Sequence, residues 1–334
     1  MGSCFVLLPY FTFHLFLLLL FTHFTSYTFS LCNYHDSFAL LQFKNLLLVN
    51  GTSSQHDIWP SYSSFSMKTD SWKNNTDCCE WDGVTYDTVL DHVIGLDLSC
   101  NNLKGELHLN ISATIFQLKH LQRLNLAFND FFGSSVHDDI SDLVNLTHLN
   151  LSNTGIIGNI PSTISHLSKL VSLDLSSNWY MEQKLKLDPF TWKKLIHNAT
   201  NLSELHLNSV DMSSIRENSL SLLKNLSSSL VSLSLGNTSL QGNLASDILS
   251  LPNLQELDLS SNEDLIGKLP MFNWSTPLRY LDLSLTFFSG EIPYSIGQLK
   301  SLNQLSLKAC DLDGLVPQSL WNLTQLTHLD ISFN

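Results

Sequence analysis

One pattern constrains this chain more than any other: Leu-x-x-Leu-x-Leu-x-x-Asn-x-Leu-x-Gly-x-Ile-Pro recurs from residue 93 to the end. Its units open at Val93, Leu121, Leu146, Leu170, Leu202, Leu230, Leu254, Leu278, Leu302 and Leu326, in steps of 28, 25, 24, 32, 28, 24, 24, 24 and 24 residues. A period held over ten units predicts a chain that stacks turn upon turn, with no single closed core. Within each unit, Leu-x-x-Leu-x-Leu predicts a short strand whose alternate residues, such as Leu257 and Leu259, point inward while those between them face solvent. Parallel strands stacked at roughly 4.8 Å give a sheet with an arc of about 45 Å.

The ninth position holds Asn101, Asn129, Asn178, Asn262 and Asn334, whose amides can donate and accept where the backbone turns away from the sheet. Thr154, Thr238, Thr286 and Cys310 fill the same slot, and Val210 lacks a comparable polar group, which predicts a looser turn there. The glycines of Gly158-Asn159-Ile160-Pro161 and Gly290-Glu291-Ile292-Pro293 permit a positive φ, and the prolines fall where no ladder donor is needed.

Composition narrows the class. Hydrophobic residues make up 43% of the 334, enough to bury a substantial core, while charged residues are only 14%. A formal net charge of −13 opposes binding to nucleic acid or to anionic membrane surfaces. Phe5 to Phe24 is almost wholly apolar and precedes the small, polar stretch Thr25 to Ser30, as in a secretory signal peptide cleaved near Ser30. An uncleaved anchor is the alternative, although Pro9, His14 and His23 interrupt the run. The expected division is residues 1–30 as signal peptide, 31–92 as an amino-terminal cap and 93–334 as about ten repeats, the last incomplete and without a carboxy-terminal cap. Uncovered Leu326, Leu329 and Ile331 then predict fraying or aggregation at that end.

The cap carries its own signals. Asp36 is placed as an N-cap for a helix presenting Ala39, Leu40, Phe43 and Leu47 on one face. Ser71-Trp72-Lys73 and Cys78-Cys79-Glu80-Trp81-Asp82-Gly83-Val84 follow. These motifs, with the Gly-x-Ile-Pro ending, resemble the plant-specific class of leucine-rich repeats over nearly the whole mature chain. The implied fold is an α/β leucine-rich-repeat solenoid: a right-handed curved superhelix with a parallel β-sheet on its concave face and a small helical amino-terminal cap. Within the class the resemblance is closest to receptor-like proteins, because of the Ser-rich excursion Asn50 to Asp70 and the basic insert Leu185 to Asn198, which contains Phe190, Trp192, Lys193, Lys194 and Leu195. That insert reads as an amphipathic turn packed on the convex side, or as a partner-binding element. Secreted polygalacturonase-inhibiting proteins share the cap and repeat and supply the alternative, but their units are near uniform.

In the family's cap the first cysteine pairs with the first of the adjacent two, which implies a Cys32–Cys78 disulfide. The family's partner for the second falls here on Tyr86, so Cys79 is either a free thiol or paired with Cys100; Cys310 reads as a buried thiol. Eleven glycosylation sequons, at Asn50, Asn74, Asn110, Asn145, Asn150, Asn198, Asn201, Asn225, Asn237, Asn273 and Asn322, fit passage through the secretory pathway. Asn150 differs from the others in lying between Leu149 and Leu151 on the expected concave face.

The thirteen histidines are scattered without ligand spacing, which predicts no metal, and no cofactor motif occurs. Asp97, Asp174, Asp258, Asp282 and Asp330 share the fifth position, and Asp258 beside Asp282 mimics a carboxylate pair with no nucleophile around it. The chain therefore reads as a binding module and not an enzyme. Candidate contacts on the concave face are Gln122, Arg123, Asn125 and Phe128, then His206 and Asn208, then Arg279 and Tyr280, then Gln304 and Lys308. The resemblance implies a cell-surface receptor ectodomain for defence or development that takes a peptide, protein or glycan ligand. A co-receptor kinase is implied, with any membrane anchor beyond this chain, so that the full-length protein lies at the extracellular face of the plasma membrane or is secreted.

Overall fold

The computed structural model describes residues 32–49, 67–105, 114–177, 184–244, 246–272, 274 and 276–334. The expected signal peptide, most of the Ser-rich excursion, Asn178 and the sequons at Asn50, Asn110 and Asn273 lie outside the described residues.

An eleven-stranded sheet runs the length of the molecule. Ten of its strands come one from each repeat and pair in parallel without register slips, so that Leu257 lies between Leu233 and Leu281. Register is fixed because a one-residue shift would carry every leucine from the core to the open face. The inward residues Leu254, Leu257 and Leu259 are at most 1% exposed, as are their counterparts Leu278, Leu281 and Leu283. The eleventh strand, Val84–Tyr86, is antiparallel to Val93–Asp97 and covers the sheet's first edge. It was not foreseen, because Val84 reads as the end of the cap motif.

A second sheet of four short parallel strands, Gly242–Asn243, Leu265–Gly267, Phe287–Glu291 and Asp311–Asp313, runs beside the first. Gly267 is required in it: a Cβ there would sit 2.4 Å from the Phe288 ring, which lies over the glycine. Gly158 and Gly290 both have φ of 85°, as the sequence predicts. The convex side is built of short 3-10 turns such as Ser162–His166 and Tyr294–Gln298, each beginning just after a proline.

The cap helix spans Tyr34–Val49 and buries Ala39, Leu40, Phe43 and Leu47. Asp36 is not its N-cap. Asn33 does that work, its Oδ1 accepting from the His35 amide at 2.9 Å. The Asp36 carboxylate turns to the first repeat, accepts from the Val93 amide at 2.8 Å and meets His92 Nδ1 at 3.2 Å. A buried strand-start amide needs an acceptor, and a carboxylate in the first turn of a helix supplies one at little electrostatic cost. Trp72 and Trp81 stack at 5.5 Å beneath the helix.

The 32-residue step contains a helix, Pro189–Asn198, capped by Asp188, whose carboxylate accepts from the Phe190 and Thr191 amides. Trp192, Leu195 and Ile196 are buried, and Trp192 Nε1 donates to the Ser219 carbonyl at 2.8 Å. This is the amphipathic packing element of the two readings. Phe190 stays exposed beneath the Lys194 ammonium, 4.4 Å from its ring centre.

The ninth-position slot works through hydrogen bonds between repeats. Asn262, fully buried, donates from Nδ2 to the Leu235 and Leu259 carbonyls, while its Oδ1 accepts from the Thr238 and Leu240 amides. Asn129 repeats this arrangement toward Leu98, Leu126 and Leu103. Thr154, Thr238 and Thr286 donate to their own unit's carbonyl, and the Thr238 and Thr286 hydroxyls also meet Asn262 Oδ1 at 3.0 Å and Cys310 Sγ at 3.7 Å in the next unit. At Val210 the expected loosening is not seen: its amide donates to the Leu207 carbonyl at 3.0 Å and Met212 donates to Thr238 at 2.8 Å. Backbone bonds alone close that turn.

The eighth position adds an unforeseen constraint. Cys100, Phe128, Asn153, Ser209, Asn237, Ser261, Leu285, Ala309 and Phe333 all adopt φ between 50° and 65°. The left-handed conformation costs roughly 1–2 kcal/mol for most side chains, so each turn holds it against local preference.

Replacing Asn262 by alanine strands the Leu259 carbonyl and the Thr238 and Leu240 amides, at about 3 kcal/mol in total. Hydrogen exchange at Thr238 and Leu240 is expected to accelerate about 100-fold by the same reckoning, with the cap unaffected; unchanged exchange would contradict this account of the slot.

Candidate recognition surface

Residues at the second, third, fifth and seventh positions of each unit project from the open face of the long sheet. The structure divides the ten sequence candidates into three groups. Gln122 and Arg123 are exposed in the second unit, where Asn125 Oδ1 accepts from the Ala127 amide and Phe128 is 40% exposed in the left-handed slot. His206 and Asn208 stand in the fifth, and Arg279, Tyr280, Gln304 and Lys308 in the eighth and ninth. Register puts Tyr280 directly beside Gln304. Arg123 and Arg279 lie six strands apart, roughly 29 Å at the usual spacing, so no small ligand bridges them.

At its third, fifth and seventh positions the sixth unit carries only small residues, Ser232, Ser234 and Gly236, and forms a trough between larger neighbours. His206 Nε2 lies 2.9 Å from Ser232 Oγ, which donates to Glu256 Oε2 at 2.8 Å. Imidazole, hydroxyl and carboxylate together suggest a catalytic triad, but their order forbids it. The single hydroxyl proton is given to Glu256, so His206 can only donate to the oxygen and cannot withdraw its proton. Beside this chain, Asn208 Oδ1 accepts from Ser234 Oγ and the Gly236 amide. Its Nδ2 reaches Asp258 Oδ2 at 3.3 Å. The sequence named His206 and Asn208; it missed Ser232, Ser234 and Glu256, which matter only once the strands are in register.

The fifth-position carboxylates close turns. Asp258 Oδ1 accepts from both the amide and the hydroxyl of Ser260, and the same bonds join Asp97 to Ser99, Asp174 to Ser176 and Asp330 to Ser332. Burial pushes the Asp97 carboxyl up, but Ser99 and the Lys68 ammonium outweigh it and hold it below the usual carboxylate range. Its contribution to stability is therefore complete above that range and lost as pH falls through the depressed value. The repeated Asp-x-Ser was the available signal for this role.

Tyr280, Asp282, Gln304, Ser306, His328 and Asp330 line an open depression of about 400 Å³. Burial, then the Asp282, Asp258 and Glu256 carboxylates, push the Tyr280 phenol above its ordinary range, so it remains a donor and reaches Asp282 Oδ2 at 3.3 Å.

At the cap, Cys32 and Cys78 form a disulfide with Cα atoms 5.4 Å apart. Among the described residues the one ligand-like cluster, Cys32, Asp77 and Cys78, is thereby spoken for as a metal site. Cys79 and Cys100 are both free, so the substitute bridge is not formed, and Cys310 donates to the Leu283 carbonyl. Burial and the Asp77 carboxylate push the Cys79 thiol up to about 12. Among the described residues no helix is long and apolar enough to cross a membrane.

This fold and open face define a leucine-rich-repeat solenoid, and a family model described as Leucine Rich Repeat matches residues 145–167 and 277–299. The chain's curated homologues are plant receptor-like proteins. It is 40% identical over 290 residues to Receptor-like protein 6 of Arabidopsis thaliana, covering 85% of this chain and 28% of that protein. The chain thus spans under a third of that relative's length. The crystal structure of the Arabidopsis receptor kinase HAESA with the peptide hormone IDA and the co-receptor SERK1 superposes with a TM-score of 0.56. Sequence identity is 29%, over 70% of this chain and 36% of that one. A plant ice-binding protein matches with a TM-score of 0.62 at 25% identity, over 86% of this chain and 90% of that one.

Because the thiolate is the reacting species, iodoacetamide at pH 8 is expected to alkylate exposed Cys100 well before Cys79. Peptide-resolved mass spectrometry giving equal rates would contradict the proposed burial of Cys79.

Proposed function

We propose that this chain is the ligand-recognising part of a cell-surface receptor-like protein, acting in defence or developmental signalling and binding through the open, concave face of the long sheet. The observation that carries this reading is the groove of units eight to ten, where Tyr280, Gln304 and His328 line up across neighbouring strands. It adjoins Arg279, which is exposed and free of ion pairs among the described residues. Aromatic and Arg side chains supply much of the energy at protein interfaces. A peptide or protein ligand suits an extended row of donors and acceptors better than a compact metabolite does, because no enclosed pocket is needed to hold it. The HAESA complex, which contains a peptide hormone and a co-receptor, supports both a peptide ligand and a co-receptor kinase for this protein. Glycan ligands remain compatible with the same face. The cap and the sequons support export, so the full-length protein stands at the plasma membrane or is secreted.

A photoreactive residue at position 280 or 304 is expected to give a saturable adduct with peptides from the extracellular fluid of the source tissue, and Arg279→Glu should weaken that adduct about tenfold or more. The same probe at Phe190 on the convex helix should give none. Equal adducts from both faces would overturn the assignment.

A further inference from the structure

We infer that Asn150 carries an N-linked glycan on the recognition face itself, and that this glycan confines ligand docking to the units that follow it. The second half of the statement rests on the concave-face reading above; the first does not.

Eight sequon asparagines lie among the described residues: Asn74, Asn145, Asn150, Asn198, Asn201, Asn225, Asn237 and Asn322. Three of them spend the nitrogen that would be modified on packing one unit against another. Asn145 Nδ2 donates to the Lys119 carbonyl at 2.8 Å, Asn198 Nδ2 to the Ser165 carbonyl at 3.0 Å, and Asn237 Nδ2 to Ser209 Oγ at 3.0 Å. Asn150 is held differently. Its Oδ1 accepts from the Ser152 amide at 2.9 Å, closing the same turn that Asp174 and Asp258 close elsewhere, and its Nδ2 has no bond among the described residues. It ends the strand His148–Asn150, half-buried, with Asn125 and Asp174 as register partners on either side. The Ser152 amide therefore holds the oxygen, and the nitrogen, at an outward-facing strand position, has no bond to a described residue to lose. Adding a sugar there breaks nothing.

In the modifying step the carboxamide nitrogen of Asn150 attacks the anomeric carbon of an oligosaccharide carried on a polyprenyl pyrophosphate. An N–C bond forms, the C–O bond to pyrophosphate breaks, and the amide loses one proton to base; the second Nδ2 proton stays.

Even a short oligosaccharide is wider than the roughly 4.8 Å between strands, so it overhangs Arg123, Asn125 and Ser172 on the adjacent units. Gln122, Arg123 and Asn125 are then screened from a macromolecular ligand. The trough of units five to seven and the groove of units eight to ten stay open.

The test uses the full chain, secreted from a eukaryotic host with its glycans intact. Glycopeptide mass spectrometry is expected to find the Asn150 peptide occupied. Single cysteines at Ser172 and Ser306 are then labelled with a maleimide bearing a polyethylene glycol chain, read peptide by peptide so that the native thiols do not interfere. Asn150→Gln should speed labelling at position 172 by about tenfold, as expected for removal of a bulky surface glycan, and leave position 306 unchanged. An unoccupied Asn150 peptide overturns the modification. Occupancy with equal rates at position 172 overturns the screening alone. Loss of ligand binding at Arg279→Glu is a separate readout and moves with neither.

Discussion

Every feature of this molecule depends on backbone groups of one repeat being satisfied by the next. The Leu235 amide donates to the Asp258 carbonyl, Leu259 to Asp282, Leu283 to Ser306 and Leu307 to Asp330. Each unit alone would present a row of unpaired donors and acceptors and an uncovered set of leucines, both costly in water. Stacked, the units hide both. The asparagine slot tightens this coupling because a single side chain bonds the turn of its own unit and of its neighbour together. Thr and Cys do less of that work, and Val210 does none of it.

That coupling also explains why one open face of the long sheet is free to vary. Since leucines at the first, fourth and sixth positions and the ninth-position residue carry the fold, the positions between them on the strand are free to vary. The face accordingly changes character along its length. It is basic near Arg123, a shallow trough of small side chains around Ser232, Ser234 and Gly236, and acidic with an aromatic donor near Tyr280. A scaffold with this division can bind a peptide in one protein and ice in another, as the structural likenesses illustrate. The ligand is a property of the variable positions.

Much of this was legible in the sequence. The period fixed strand positions, the inward leucines and the asparagine slot, and the cap motif located the buried Ala39, Leu40 and Phe43 face. What escaped was of two kinds. Local dihedral states, such as the left-handed eighth position, were hidden because Phe128 and Leu285 are poor sequence markers of positive φ. Cross-unit pairings were hidden because they join residues 24 or more apart: Ser232 to Glu256, or Asp36 to Val93. Asp36 looked like a helix cap from its neighbours in sequence and proved to be the bond between cap and first repeat.

If nearest-neighbour stacking is the organising force, a whole unit is removable and a fraction of one is not. Deleting residues 254–277 joins the Leu251 turn to Leu278 in the same phase and should leave a protein secreted as well as the parent chain and melting as the parent does, shorter by one strand. Deleting residues 254–264 instead puts Lys268 and Pro270 where leucines belong and should abolish secretion. Equal damage from the two deletions would contradict a solenoid held together in this way.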